Sequence, residues 1–156
     1  MPRNDDNVIL ENKRILFRNF AGKERKYNRE GDRNFTVVLN DDEAKDLSAR
    51  GYNVKILEGR EEGEPDIPVL GVSVNFNGAR PPRIVMVGRR GNKTTLYEED
   101  VELLDWAEIL FCDMILRPYE WEIGGKTGIR PYLQTLYANI EETPLDQKYS
   151  NNGHEA

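Results

Sequence analysis

The stretch that decides the fold is residues 109–141, with the sequence ILFCDMILRPYEWEI-GGKTG-IRPYLQTLYANIE. Apolar and polar residues alternate on both sides of the central GGKTG, with the period of two that is typical of β-strands. We therefore predict a long strand over residues 109–123, interrupted at Pro118, and a returning strand over 129–141. Gly124–Gly128 is predicted to be the hairpin loop between them.

The remaining chain contains more short apolar runs, bounded by Gly, Pro, Asn and Asp. They predict strands over Val8–Phe20, Asn34–Leu39, Tyr52–Leu57, Ile67–Phe76 and Arg83–Val87. Two short helices are expected, over residues 41–50 and 98–107, and the first has Asp residues at its start and Gly51 at its end. About seven strands and two helices predict a mainly β fold, an OB-type antiparallel β-barrel with extra strands and two short helices. An SH3-like barrel or another sandwich is an alternative from the pattern alone.

Length and composition limit the number of domains and the kinds of site that the chain can contain. With 156 residues, we predict one domain over residues 1–141, followed by a flexible, polar and acidic tail over 142–156. One cysteine, Cys112, excludes a disulfide framework and a multi-cysteine zinc site. One histidine, His154, argues against His-based catalysis. The sequence therefore predicts a binding protein that is not an enzyme, with no cofactor and no metal.

From the sequence we expect neither a targeting segment nor a membrane span. The N-terminus MPRNDDN is too polar for a signal peptide, and no apolar run approaches the ~18 residues that a membrane-spanning helix needs. We therefore expect a cytoplasmic protein without a membrane partner.

The net charge of −6 conceals alternating blocks of opposite sign. Residues 1–40, 71–97 and 123–140 carry +3, +5 and +2, whereas residues 41–70, 98–122 and 141–156 carry −5, −8 and −3. A polyanion responds to the local surface it meets, so basic blocks that converge in space can bind nucleic acid despite an acidic total. The alternative is that these blocks are ordinary solvated surface.

Aromatic and basic residues interleave in a way that favours single-stranded nucleic acid. Such ligands need cations for their phosphates and exposed rings for their bases. Arg117, Tyr119 and Trp121 share one strand face if the period of two continues through the proline. Tyr132 shares a face with Arg130, and Tyr137 is predicted on the opposite face. The alternative for Tyr119 and Trp121 is that their rings pack in the core and only their polar atoms reach water.

Further candidates lie in the predicted connections and at strand ends. The β-strand connection around residues 21–33 interleaves one ring with five cations, and the loop after residue 87 is basic. Phe20 and Phe76 are at strand ends beside these loops, although each could also be a core residue. The predicted DNA-binding residues are Arg18, Phe20, Lys23, Arg25, Lys26, Tyr27, Arg29, Phe76, Arg83, Arg89, Arg90, Arg117, Tyr119, Trp121, Arg130 and Tyr132.

Several of these residues also belong to a family resemblance. NREGDRNF at 28–35, VNF at 74–76 with RPPRI at 80–84, RPYEW at 117–121 and IRPYLQ at 129–134 resemble bacteriophage and prophage single-stranded DNA-binding proteins of Gram-positive hosts. The resemblance extends from about Asn7 to Glu142. It implies an OB-fold protein that coats single-stranded DNA during phage replication and recombination.

The sequence thus predicts a non-enzymatic, sequence-tolerant single-stranded DNA-binding protein that acts in phage DNA replication, recombination or repair in the bacterial host cytoplasm. Phage or host replication and recombination proteins are possible further partners, and the sequence leaves monomer and dimer open. One alternative is an interaction module that binds a host replication or defence protein through its acidic faces. Another is a metal-dependent nuclease that uses acidic residues.

Overall fold

Two 15-residue strands form one long hairpin, around which the other elements are arranged. The computed structural model describes residues 6–24 and 29–141, so the predicted tail, 142–156, lies outside the described residues. The elements are β1 (Val8–Lys13), β2 (Ile15–Asn19), β3 (Arg33–Val38), α1 (Asp41–Ala49), β4 (Lys55–Leu57), β5 (Ile67–Val74), β6 (Arg83–Val87), β7 (Lys93–Leu96), α2 (Leu103–Trp106), β8 (Ile109–Ile123) and β9 (Lys126–Ile140). The predicted mainly β fold with two short helices is confirmed.

The hairpin turn is tighter than the sequence suggests. Gly124 and Gly125 have φ angles of 57° and 82°. A two-residue type I′ turn needs a positive φ at both central positions, which glycine adopts without steric cost. Ile123 therefore pairs directly with Lys126, and β9 begins three residues before the predicted Ile129.

Strand β8 is continuous, and the interruption predicted at Pro118 is absent. Pro118 lies directly opposite Pro131 in the β8–β9 register. Opposed residues in an antiparallel ladder alternate between hydrogen-bonded and non-hydrogen-bonded pairs. Since neither proline has an N–H to donate, this position suits a non-hydrogen-bonded pair, and the ladder passes through it intact.

The sheet is mixed, whereas the prediction was antiparallel. Its main path runs β1-β8-β9-β5-β3-β2, with β4 on β5, β6 on β9 and β7 on β6. Strand β9 pairs in parallel with both β5 and β6. The described ladder is not closed, but its two end strands, β1 and β2, are joined by Arg14 alone. Because one residue spans only about 3.8 Å, the sheet must curl to bring its ends together.

Bulges explain why the predicted strand Val8–Phe20 divides into β1 and β2. The register shifts between Leu10 and Lys13 in β1 and between Leu16 and Asn19 in β2. Asn12 and Phe17, inside these intervals, have φ angles of 55° and 52°. Bulges bend a strand and increase its twist, so β1 and β2 can pair at opposite ends of the sheet.

The helices follow their capping signals to different extents. Helix α1 begins after Asn40, whose side chain accepts a hydrogen bond from the Glu43 N–H in a capping box, and Gly51 follows the helix with a φ of 101°. Helix α2 is shorter than predicted, and residues 98–102 form turns instead. Glu98 and Glu102 stand four residues apart, a like-charge spacing that disfavours a helix there. Strand β7 was not predicted.

Candidate nucleic-acid interface

The exposed half of the β8–β9 hairpin contains several of the predicted DNA-binding side chains. Every residue from 119 to 127 is exposed, so this half projects beyond the core. Directly opposed residues in an antiparallel pair lie on the same side of the sheet. We call the resulting set the hairpin face: Arg117 opposite Tyr132, Tyr119 opposite Arg130, Trp121 opposite Gly128, and Ile123 opposite Lys126.

Two tyrosines and an arginine on the hairpin face contact one another. The Tyr119 and Tyr132 ring centroids are 5.9 Å apart, edge to face. The Arg130 guanidinium carbon is 5.8 Å from the Tyr132 centroid, and Arg130 Nε donates a hydrogen bond of 3.0 Å to Ser73 Oγ on β5. Tyr119 is nevertheless 57% exposed. The rings and the cation are thus held by their neighbours while a ring surface stays open to solvent.

Trp121 packs across the one glycine of the hairpin face. A Cβ atom placed on Gly128 would lie 2.5 Å from Trp121 Cζ2, closer than real contacts allow. Glycine at this position therefore lets the indole lie against the neighbouring strand. The side chain remains 37% exposed, so part of the ring is accessible to a stacking partner.

Charge is divided between the two sides of the hairpin. The hairpin face has three cations, Arg117, Lys126 and Arg130, and no carboxylate. Glu120 and Glu122 alternate with the face residues and so lie on the reverse side. Among the residues that the structure describes, no ion pair involves any of the three cations. The acidic residues nearest in sequence thus lie on the other side of the two-stranded arm.

A bulge in β9 changes the side on which Tyr137 lies. Ile115 pairs with Thr135 and Leu116 with Leu133, which leaves Gln134 without an opposite residue. Leu133 and Leu136 are both in the core. Tyr137 therefore lies on the outer side of the sheet, as Tyr132 does, and the predicted opposite placement is wrong because the period of two is broken at Gln134.

Arg18 and Phe20 have structural positions where the sequence predicted DNA contacts. Arg18 donates hydrogen bonds of 2.9 and 2.7 Å to the backbone oxygens of Leu104 and Ala107. The Phe20 ring is fully buried and stacks on Phe35 with centroids 5.4 Å apart. This position does not fit the stacking role predicted for Phe20, because a buried ring presents no face to a base.

Lys23 also contacts helix α2. Its ammonium lies 5.4 Å from the Trp106 ring centroid and 3.8 Å from a Glu102 oxygen. Asp105 accepts hydrogen bonds from the Phe20 and Ala21 N–H groups, at 2.7 and 3.0 Å. We call Arg18, Phe20, Lys23, Asp105 and Trp106 the α2 junction. Of the other predicted residues nearby, Arg29 is exposed, and Arg25, Lys26 and Tyr27 lie outside the described residues.

The predicted DNA-binding residues of the β5–β7 region do not form a single cluster. Arg83 is exposed, with its guanidinium carbon 5.9 Å from the Tyr137 ring centroid. Arg89 forms an ion pair of 2.6 Å with Glu141, and Arg90 is exposed in the same loop. Phe76 is half-buried against the core, with the Arg33 guanidinium carbon 5.3 Å from its ring centroid.

Catalytic and metal-binding features are not evident in the described parts of the chain. Residues 6–24 and 29–141 contain no group of three His, Cys, Asp or Glu side chains able to hold a metal ion. Burial raises the pKa of the Cys112 thiol to about 12, with Asp113 adding to the shift, so the thiol stays protonated at neutral pH. No described helix is long and apolar enough to cross a membrane.

The ring and cation arrangement of the hairpin face agrees with a family match that covers nearly the whole sequence. The family model described as "Putative phage ssDNA-binding domain" matches residues 2–154. The chain belongs to this family. A search of curated proteins finds no match to the sequence.

Solved structures place this phage ssDNA-binding domain among proteins of similar fold. The single-stranded DNA-binding protein from bacteriophage Enc34, in a C-terminal truncation, gives a TM-score of 0.54 at 9% identity, covering 88% of this chain and 87% of that chain. The same phage protein in complex with ssDNA gives 0.52 at 10% identity, covering 88% of each chain. At this identity the likeness concerns the fold, and it agrees with the predicted OB-like class.

Three residues of the phage ssDNA-binding domain join or extend the site without having been predicted there. Lys126 was assigned to the hairpin loop, although recognising Gly124-Gly125 as a two-residue turn would have put it on a strand. The sequence placed Tyr137 on the wrong side because the bulge at Gln134 was not predicted. Ser73 reaches Arg130 through the parallel β5–β9 pairing, for which the sequence offers no local signal.

Proposed function

We propose that this protein binds single-stranded DNA on the hairpin face, without enzymatic activity and with tolerance for base sequence. The observation that carries the proposal is the concentration of three aromatic rings and three cations on one side of the hairpin, with the carboxylates on the reverse side. Family membership and the fold shared with a phage protein solved in complex with ssDNA support the same ligand.

The three rings supply the base contacts in this proposal. Tyr119, Trp121 and Tyr132 stack on bases, and each stacked base contributes about 1–3 kcal/mol. Stacking tolerates any sequence because every base has a π-face. Since Tyr132 and Trp121 are already held by Arg130 and Gly128, little side-chain freedom is lost on binding.

The three cations supply the phosphate contacts. Arg117, Lys126 and Arg130 replace condensed counterions on the DNA, so affinity falls as salt rises, with a slope of about −0.7 per neutralised phosphate. Arg90, which is exposed, is a further candidate, and Arg29, Arg83 and residues 25–27 stay predictions. Replication, recombination or repair of phage DNA in the bacterial host cytoplasm is the setting we propose, with replication proteins as further partners.

The two tryptophans allow a direct test. Trp121 lies on the hairpin face and Trp106 at the α2 junction, near opposite ends of β8. In a Trp106→Phe variant, oligo(dT) should quench the remaining Trp121 fluorescence, and less so at higher salt. In Trp121→Phe, quenching should be much weaker. Equal binding of duplex DNA, or binding insensitive to salt, would contradict the proposal.

A second candidate function, docking of a basic protein segment, is favoured by Trp106. This side chain is 73% exposed within the acidic segment 98–108, and the Lys23 ammonium lies near both its ring and a Glu102 oxygen. An exposed lysine or arginine of a partner could be recognised in the same way. Capture of a defined replication protein that survives nuclease treatment, and that is lost in Trp106→Ala, would support this role; capture unchanged in that variant would exclude it.

A further inference from the structure

The outer side of β9 has two ring–cation pairs with nearly equal cation-to-centroid distances. In the first, the Arg130 guanidinium carbon is 5.8 Å from the Tyr132 centroid. In the second, the Arg83 guanidinium carbon is 5.9 Å from the Tyr137 centroid. The first pair belongs to the hairpin face. The second lies outside the hairpin face.

The bulge at Gln134 determines that both pairs face the same way. Without it, Tyr132 and Tyr137 would lie on opposite sides of the sheet, since they are an odd number of residues apart. The bulged residue is itself held in place, because Asn7 Nδ2 donates a 3.0 Å hydrogen bond to Gln134 Oε1. Counting four to five residues at about 3.3 Å each, the two rings lie roughly 13–16 Å apart along β9.

Arg83 reaches Tyr137 from a neighbouring strand. Strand β6 runs parallel to β9, and Arg83 pairs with Thr135, which is also on the outer side. The Arg83 side chain is exposed, and no ion pair involves it among the described residues. It is therefore available to an anionic ligand, as Arg130 is.

In the β8–β9 register, the charged residue nearest to the Arg83–Tyr137 pair is acidic. Asp113 on β8 lies opposite Tyr137, and its Oδ1 accepts a 2.8 Å hydrogen bond from the Asn12 N–H. That bond offsets part of the carboxylate charge, and the remainder repels a phosphate on the β8 side of Tyr137. A polyanion that reaches Tyr137 is therefore directed toward β6 and Arg83.

We infer that Arg83 and Tyr137 form a second base-and-phosphate position, reached by the same DNA strand after it leaves the hairpin face along β9. The inference rests on the proposed function and adds a length requirement to it. A short oligonucleotide fills the hairpin face alone. A longer one also stacks a base on Tyr137 and places a phosphate at Arg83.

The test compares oligo(dT) molecules of increasing length by fluorescence anisotropy with the full chain. Arg83→Ala and Tyr137→Leu should each weaken binding of long oligonucleotides about tenfold, the range expected for one lost stacked base or phosphate contact. Binding of the shortest oligonucleotide that shows measurable affinity should be unchanged. Leucine keeps an apolar side chain at the half-buried position 137, and circular dichroism verifies that each variant is folded.

A matched control comes from a third ring–cation pair. The Arg50 guanidinium carbon lies 5.8 Å from the Tyr52 centroid, and Tyr52 bridges to Ile129, whose side chain belongs to the reverse side of the hairpin. Arg50 also pairs with Asp46, and Arg50→Ala, which removes one cation on the other side of the hairpin, should leave the length dependence intact.

Two results would overturn the inference: equal weakening of short and long oligonucleotides by the Arg83 and Tyr137 substitutions, or no weakening of either. If Tyr137→Leu fails to fold, the result for Arg83→Ala decides between these outcomes, because the Arg83 side chain is exposed. Failure of the unmodified protein to bind oligo(dT) at any length would instead contradict the proposed function.

Discussion

The hairpin face and the α2 junction both contain aromatic rings and cations, and the sequence predicted DNA contacts among the residues of each. They differ in what those side chains already bind. At the α2 junction, Arg18 donates to two backbone oxygens, Lys23 pairs with Glu102, and the Phe20 ring is buried. On the hairpin face, two of the rings are exposed, and the cations form no ion pair among the described residues.

The difference separates cations that stabilise the fold from cations that remain available to a ligand. A guanidinium that satisfies two backbone oxygens at the end of a helix has few donors left for phosphate, and moving it would leave those oxygens unpaired. A guanidinium stacked on a tyrosine keeps most of its donors. The comparison therefore predicts that substitutions at the α2 junction act mainly on stability and those on the hairpin face mainly on binding.

The largest effect is expected from removing two rings of the hairpin face together. The double substitution Tyr119→Ala and Trp121→Ala should lower affinity for oligo(dT) by about 2–6 kcal/mol, which is roughly 30-fold to 2 × 10⁴-fold. Anisotropy of a labelled oligonucleotide measures the change, since Trp121 is absent. The melting temperature should change little, because this half of the hairpin projects beyond the core.

The reverse side of the hairpin supplies the control for that experiment. Glu120→Gln with Glu122→Gln alters two neighbouring residues without touching a ring. Affinity should stay the same or rise slightly as negative charge is removed. A loss comparable to that of the double ring variant would mean that the sides were assigned incorrectly.

The next effect should appear in stability. Arg18→Met removes two charge-assisted hydrogen bonds to the Leu104 and Ala107 oxygens, and should lower the free energy of unfolding by about 2–4 kcal/mol. Urea denaturation measures the change. Affinity for oligo(dT), determined where the variant is fully folded, should match that of the unmodified protein; a tenfold loss would return Arg18 to the interface.

The elements with strong local signals could be predicted from the sequence. The alternation of residues 109–141 predicted the long hairpin, and the capping residues predicted α1 within one residue. The sharing of one side by Arg117, Tyr119 and Trp121 also followed from the period of two. These features depend on neighbours along the chain, which a sequence records directly.

The remaining features depend on contacts that are distant in sequence. The parallel pairing of β9 with β5 and β6, which brings Ser73 and Arg83 to the outer side, has no local signature. The Gln134 bulge moved Tyr137 to the side of Tyr132. Arg18 and the Phe20 N–H form hydrogen bonds to α2, more than 80 residues away, and the Phe20 ring packs on Phe35, so composition alone could not separate these residues from ligand contacts.

A smaller effect on binding tests the packing of the Trp121 indole against Gly128. Gly128→Ala places a methyl group where the indole lies, so the ring must move away from the strand. We expect a loss of affinity for oligo(dT) of about 1 kcal/mol, near the lower limit for one stacked base, with a shifted Trp121 emission in a Trp106→Phe background. Gly71→Ala is the matched control, because a Cβ atom there meets nothing within 4 Å. Equal loss in both variants would contradict the role of Gly128.

The smallest effect should come from a single lysine at the α2 junction. Lys23→Ala removes a cation that already pairs with Glu102 and stacks on Trp106, and such exposed pairs contribute about 0–1 kcal/mol. Oligo(dT) affinity should fall less than twofold, with no change in its salt dependence. Lys126→Ala removes one cation of equal charge from the hairpin face and should reduce the salt slope by about 0.7. Since the two variants have the same net charge, a general electrostatic effect would change both slopes equally. Such a result would remove the distinction between the two regions, whereas a change confined to Lys126 would locate the phosphate contacts on the hairpin face.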